Sequence, residues 1–252
     1  MISLKNKVVL ITGASSGIGY ELSKQLANEE CNIALLARRD KILETLIESL
    51  KYENRKHLYV KCDVGNKEEV LSALTEIRNK FGEIDIAILN AGISYHSGVE
   101  NFSSEKAEKI FNVNVFGIIY FIEQLLPVFM KNKSGIIVGI SSLADGKGFP
   151  KSGFYCASKA AVSLLLESVR IELKKYNIKV ITVKPGFIKT PMTEKNNFPM
   201  PFLIDASKAA EIIIQGIKKE KKIIQFPFGI VMGAKLLKIL PDSIFKIIAD
   251  KI

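Results

Sequence analysis

A chain of 252 residues can bury one substantial core, and 48% hydrophobic with 25% charged residues is the balance of a soluble globular protein, not of a disordered or fibrous one. Lys and Arg outnumber Asp and Glu by 36 to 26, a net charge of +10 that suits an anionic partner such as a phosphorylated cofactor, an acidic lipid surface or nucleic acid. Cys31, Cys62 and Cys156 stand far apart without a CxxC pair, which argues against a disulfide framework or a zinc site and for a reducing, cytoplasmic compartment.

Read in order, short apolar runs alternate with longer amphipathic segments. A strand is predicted at 8–12, then a glycine-rich turn and a helix over 17–30. Strand 33–37 is followed by helix 41–52, strand 57–61 by helix 67–81, and strand 86–89 by helix 104–131. Strand 135–140 leads to helix 154–176, strand 179–184 to helix 207–218, and a last strand is predicted at 223–226. The strands are near-continuously apolar, as parallel strands covered on both faces must be. The alternation predicts one α/β domain, 1–252: a doubly wound (Rossmann) parallel sheet of about seven strands with helices on both faces and the ligand at the C-terminal strand edge. The most apolar stretch, 113–130, is broken by Glu123, Gln124 and Pro127, which argues against a membrane-spanning helix, and the N-terminus lacks the layout of a signal peptide.

After the first strand comes Thr12-Gly13-Ala14-Ser15-Ser16-Gly17-Ile18-Gly19. Gly13 suits a tight turn, Gly17 a close approach of backbone to a pyrophosphate, and Gly19 close packing of helix on strand. The following helix offers free N–H groups and a positive dipole end to phosphates. At the end of the second strand, where a binder of NAD usually places an acid, the chain reads Ala37-Arg38-Arg39. Guanidinium forks suit a 2′-phosphate, so NADP(H) is the expected cofactor. The adjacent Asp40 is a rival partner for one of these arginines.

Further along, Cys62-Asp63-Val64, Asn90-Ala91-Gly92, Val113-Asn114-Val115, Tyr155-Cys156-Ala157-Ser158-Lys159 and Pro185-Gly186 with Ile188 and Thr190 follow in order. With the glycine turn they resemble the motifs of the classical short-chain dehydrogenase/reductase family, over most of the chain. That resemblance implies adenine contacts at Asp63 and Val64, nicotinamide contacts through 185–190, and Asn114, Ser142, Tyr155 and Lys159 as catalytic residues. Ser142 precedes Tyr155 by 13 residues, the family's spacing, with Ser141 as its rival. Tyr155 and Lys159, four apart on one helix, share a face. A free Tyr titrates near ~10, and the expectation is that the ammonium and the nicotinamide's charge lower that value. Tyr155 then protonates a carbonyl oxygen or takes the alcohol proton in reverse. By the same resemblance Lys159 holds the nicotinamide ribose and Asn114 positions a proton-relaying water. One departure is Asp145, three residues after Ser142, where the family often carries Gly.

The 187–206 segment is irregular and apolar, with Phe187, Met192, Phe198, Met200 and Phe202, and reads as a lid over a hydrophobic lipid-, sterol- or polyprenyl-like substrate. From Lys218 onward eight lysines face three acids. The tail, 228–252, is apolar and basic, divides near Pro241, and suits peripheral membrane contact, a groove or a second subunit. The expected function is an NADP(H)-dependent oxidoreductase acting on a small carbonyl/alcohol substrate, in a homodimer or homotetramer paired through 104–131 and 154–176, as the resemblance implies. The alternative is a redox sensor that binds NADP(H) without turnover, which the presence of both Tyr155 and Lys159 disfavours. No reader helix or aromatic-basic motif supports nucleic-acid binding. His57 and His96 match no metal-ligand or triad spacing, and no metal is expected.

Overall fold

The computed structural model describes residues 1–50, 56–241 and 243–245. Seven strands form one parallel sheet in the order β3-β2-β1-β4-β5-β6-β9. They are β1 Val8–Thr12, β2 Asn32–Ala37, β3 His57–Lys61, β4 Ile86–Leu89, β5 Ile136–Ile140, β6 Lys179–Pro185 and β9 Ile223–Phe226. Successive side chains on a strand point to opposite faces, and the core divides accordingly. Val9, Ile11, Ile33, Leu35, Ile86, Ile88 and Val138 enter one apolar cluster; Val8, Leu10, Ala34, Leu36, Ala87, Leu89 and Ile137 enter the other.

Helices α1 Gly17–Ala27, α2 Asp40–Ser49 and α7 Ala206–Lys218 cover the first face. Helices α3 Lys67–Phe81, α4 Ser104–Phe111, α5 Gly117–Asn132 and α6 Gly153–Leu173 cover the second. Strand order reverses at β1, which pairs β2 on one side and β4 on the other. Crossovers therefore diverge there and leave a crevice at the C-terminal strand ends.

Several boundaries differ from the sequence expectation for local reasons. Helix α1 stops at Ala27 because the chain tightens, with Glu29 and Glu30 N–H donating three residues back and Glu30 at φ 58. Helix α2 begins at Asp40 and ends at Ser49; the predicted end, 51–52, lies outside the described residues. Helix α6 ends at Leu173 in a 3-10 turn, Lys174–Tyr176, closed by Asn177 at φ 58.

The predicted helix 104–131 is two helices joined by a π turn, Asn112–Phe116, in which the Gly117 N–H donates to the Asn112 carbonyl. The stretch Ser104–Asn132 is long and apolar enough to cross a membrane, with mean hydropathy 1.7 over an 18-residue window. Its Ile118, Phe121, Leu125 and Phe129 are instead buried in the core cluster on the second face, and Ile110 is buried as well. The tail begins with α8 Phe228–Ile239, whose Val231 is buried while Phe228, Met232, Leu236 and Ile239 are exposed. The amphipathic pattern expected beyond Pro241 rests on Asp242 and 246–252, outside the described residues.

Candidate active site

At the switch point a cleft of about 300 Å³ runs from the turn after β1, past the ends of β2 and β3, to α6 and the segment after β6. Its floor is stitched by one hydroxyl and one amide. Thr12 Oγ1 accepts from the N–H of both Asn90 and Ala91 at 3.0 Å, and Asn90 Nδ2 donates to the carbonyls of Thr12 and Gly13 at 3.0 and 3.3 Å. Gly13 takes φ 68, which L side chains avoid. Gly19 has a different constraint: a Cβ there would stand 2.4 Å from the Gly13 carbonyl oxygen and 2.6 Å from Asn90 Nδ2. The glycines therefore let the turn, helix and β4 end close on one another, and the N-terminus of α1 opens into the cleft with no acid in its first turn.

Ser15, Ser16, Gly17 and Ile18 line this end, together with Ala37, Arg38, Arg39, Asp63 and Val64. Arg39 lies back across the turn: its Nε and Nη2 donate to Ser15 Oγ at 3.1 and 3.0 Å, and Nη2 donates to Ser16 Oγ at 2.8 Å. Arg38 Nη1 stands 3.8 Å from Asp63 Oδ2, both side chains being well exposed. Asp40, the expected rival, accepts from the Lys41 N–H.

The middle of the cleft is walled by Asn90, Ala91 and Gly92. Behind Gly92 lies Asn114, fully buried. Its Oδ1 accepts from the Ile93 N–H at 2.8 Å, and its Nδ2 donates to the Ile93 carbonyl and to Ser158 Oγ, each at 3.0 Å. The π turn sets this placement: its wider winding carries Asn114 in towards the strand-end loop. Gly92 leaves room, since a Cβ there would touch Asn114 Oδ1 at 3.3 Å and Lys159 Nζ at 3.4 Å. Asn114 and Gly19 support the wall from behind; the other predicted site residues line the cleft itself.

At the far end Ser142, Tyr155 and Lys159 converge. Ser142 caps a 3-10 turn, Leu143–Gly146, its Oγ accepting from the Ala144 N–H at 3.1 Å. The Ser142 hydroxyl lies near enough to the Tyr155 phenol to favour its ionised form. Lys159 Nζ donates to the Ile140 carbonyl at 2.9 Å and stands 5.7 Å from the centre of the Tyr155 ring. Burial pushes the Lys159 ammonium down to about 8. Burial also pushes the Tyr155 phenol up, against the lowering effect of the Ser142 hydrogen bond. The sequence expectation counted the charges of the ammonium and of the nicotinamide, and not this cost of ionising a phenol away from water. Ser141, the rival, turns into the protein, with its Oγ 2.8 Å from the Lys159 carbonyl oxygen and 2.8 Å from Ser163 Oγ.

The segment after β6 closes the cleft with Pro185, Gly186, Ile188 and Thr190. The 187–206 stretch, expected to be irregular, is pinned at its base by two short parallel strands, β7 Ile188–Lys189 and β8 Ile204–Asp205. Phe187 and Phe198 meet edge to face, Phe202 covers Gly229, and Met192 lines the cleft. Ile93, Val113 and Ile140 also line it, residues flanking motifs that sequence reading credited to their neighbours alone. Among the described residues no group of three His, Cys, Asp or Glu could hold a metal ion. The donor set suits a phosphorylated dinucleotide: helix amides and two guanidiniums at one end, and a hydroxyl pair with an amine at the other.

Residues 7–200 match the family model described as short chain dehydrogenase. The chain belongs to the short-chain dehydrogenase family. An uncharacterized oxidoreductase of Myxococcus xanthus is 30% identical over 252 residues, 100% of both chains. A short-chain dehydrogenase/reductase of Burkholderia phymatum, in complex with NAD, superposes with TM-score 0.86 at 21% identity, covering 94% of each chain. An alcohol dehydrogenase from the archaeon Thermococcus sibiricus, complexed with 5-hydroxy-NADP, does so with TM-score 0.79 at 26% identity, over 88% of this chain and 95% of that one. As a member of the short-chain dehydrogenase family this chain is an oxidoreductase with a Rossmann-like sheet.

Proposed function

We propose that this short-chain dehydrogenase transfers a hydride between NADP(H) and a ketone/secondary-alcohol pair, on a hydrophobic substrate. The observation that carries the reading is the convergence of Ser142, Tyr155 and Lys159 at one end of a cleft whose other end holds a glycine turn and two arginines.

Reduced nicotinamide, when bound, supplies the hydride to the carbonyl carbon. This chain's residues manage the oxygen. The Ala144 N–H donates to Ser142 Oγ, which leaves the serine hydroxyl proton for an acceptor in the cleft. Ser142 orients the carbonyl oxygen, and Tyr155 delivers its own hydroxyl proton to that oxygen as negative charge develops. A phenol whose pKa is raised by burial holds that proton at neutral pH until the oxygen becomes the stronger base. Lys159 stabilises the phenolate left behind, and Asn114 keeps the Ile93 loop and α6 in register beneath the site.

Arg38 and Arg39 would hold the 2′-phosphate, with the cluster of Ser15 and Ser16 behind Arg39; a carboxylate at the end of β2 would instead repel it. Ile93, Ile188 and Met192 give the reacting end an apolar wall, which supports a hydrophobic substrate beneath the 187–206 lid. The exposed apolar residues Phe116, in the π turn, and Leu164 and Ile171, on α6, support pairing of subunits.

The test is NADPH oxidation over a ketone series running from acetone to 2-decanone and decalone, with Tyr155→Phe as control. Activity that rises with apolar size and vanishes in the control supports the reading. Equal rates for control and parent overturn the catalytic assignment.

A further inference from the structure

Behind Ser142 lies a set of polar contacts that the proposed reaction does not use. Lys184 Nζ, on β6, stands 2.5 Å from Asp145 Oδ2 in the turn after β5, with side chains only 18% and 12% exposed. The Ser163 hydroxyl, on α6, donates to the same carboxylate oxygen at 2.5 Å. A serine has one proton to give, so Ser141 is the donor towards Ser163 and shares its proton with the Lys159 carbonyl. One carboxylate thus links three elements: the turn headed by Ser142, β6 just before Pro185, and α6 one helical turn beyond Lys159.

Stability alone is a poor account of such a pair, because desolvating two charges offsets much of their attraction. Its position suggests more. Asp145 belongs to the turn whose amides aim Ser142: the Ala144 N–H donates to Ser142 Oγ at 3.1 Å and the Asp145 N–H to the Ser142 carbonyl at 3.3 Å. A glycine at 145 would offer no side chain by which β6 and α6 could grip that turn. Here the grip comes from opposite sides, Lys184 from the strand and Ser163 from the helix that also bears Tyr155.

We propose that the Asp145–Lys184 ion pair, completed by Ser163, is a positioning device that holds the Leu143–Gly146 turn so that the Ser142 hydroxyl meets Tyr155. Its catalytic consequence rests on the reading given under Proposed function; the holding of the turn does not. Asp145 and Lys184 are positioning residues acting through Ser142.

Three variants of the full chain test this: Asp145→Asn, Lys184→Met, and the double variant. Each single change leaves a buried charge without its partner and lowers the melting temperature, whereas the double change removes both charges and recovers most of it. Amide hydrogen exchange over 142–146 accelerates about tenfold or more in all three, while exchange over 8–19 stays at the parent rate. NADPH-dependent ketone turnover falls about 10- to 100-fold in kcat in all three, with the ketone KM and the NADPH dissociation constant within about threefold of the parent. A double variant that matches the parent in exchange, or in kcat, overturns the positioning role. A parent protein inactive on every ketone overturns the functional reading instead, and the exchange measurement still decides whether the pair holds the turn.

Discussion

Lys159 Nζ donates to the carbonyl oxygen of Ile140 at 2.9 Å, so the last residue of β5 anchors an ammonium that burial has pushed down to about 8. The unfolded chain keeps that proton up to its ordinary value of 10.5. Between about 8 and 10.5 the unfolded state therefore binds more protons, and this residue's contribution to stability rises with pH across that window. Below it the folded protein carries the cost of a buried charge. Lys159→Met is expected to raise the melting temperature by about 2–4 °C at neutral pH, net of the donor lost to Ile140, and to lower turnover by about a hundredfold or more. Thermal melts beside NADPH-oxidation rates check both. Ketone reduction by the parent should decline as pH rises through about 8, as the ammonium beside Tyr155 is lost.

Tyr155→Phe keeps the ring and removes only the proton donor. Turnover should fall by about 10²- to 10⁴-fold, the usual contribution of a positioned acid. NADPH affinity, measured by fluorescence titration, should stay within about threefold of the parent.

The two arginines should contribute unequally. Arg39 is held by Ser15 and Ser16, whereas Arg38 is mostly exposed and faces Asp63 at 3.8 Å. Arg39→Asp is expected to cut kcat/KM for NADPH about a hundredfold, the worth of one or two charge-assisted hydrogen bonds plus repulsion, and to leave NADH use unchanged. Arg38→Ala should cost about tenfold or less. Parallel kinetics with the two nucleotides decide the matter.

Gly19→Ala tests the closure of the turn. The new methyl group would meet the Gly13 carbonyl oxygen at 2.4 Å and Asn90 Nδ2 at 2.6 Å, and Asn90 is itself hydrogen-bonded to Thr12 and Gly13. A loss of about 2–4 kcal/mol in urea unfolding is expected. Gly148→Ala, where a Cβ meets nothing within 4 Å, serves as the neutral control.

The central sheet was legible because fully covered parallel strands must be apolar on both faces, and runs such as Val8–Thr12 and Ile86–Leu89 have no other plausible home. The cleft lining was legible where a motif reflects backbone need, as at Gly13, or a spacing on one helix, as at Tyr155 and Lys159. What escaped depends on contacts between distant segments. Asp145 read as an ill-fitting residue in its own turn until Lys184, on another strand, was seen beside it. The π turn escaped because Asn112-Val113-Asn114-Val115-Phe116 has no composition that separates it from ordinary helix. The sign of the Tyr155 shift depended on burial, which the identity of its neighbours does not reveal.

That π turn makes the 104–132 stretch tolerant of losing one residue there. Each residue of an α-helix rotates the next by ~100°, and the wide turn takes up one surplus residue so that the halves before and after it keep the phase of a helix one residue shorter. With it, Ile110 on one side is buried while Ile118, Phe121 and Leu125 on the other pack in the core cluster of the sheet. Deleting one residue other than Asn114 from Asn112–Phe116 would restore uniform winding with the two apolar stripes still in phase, whereas uniform winding at unchanged length would swing one half's stripe off the core by ~100°.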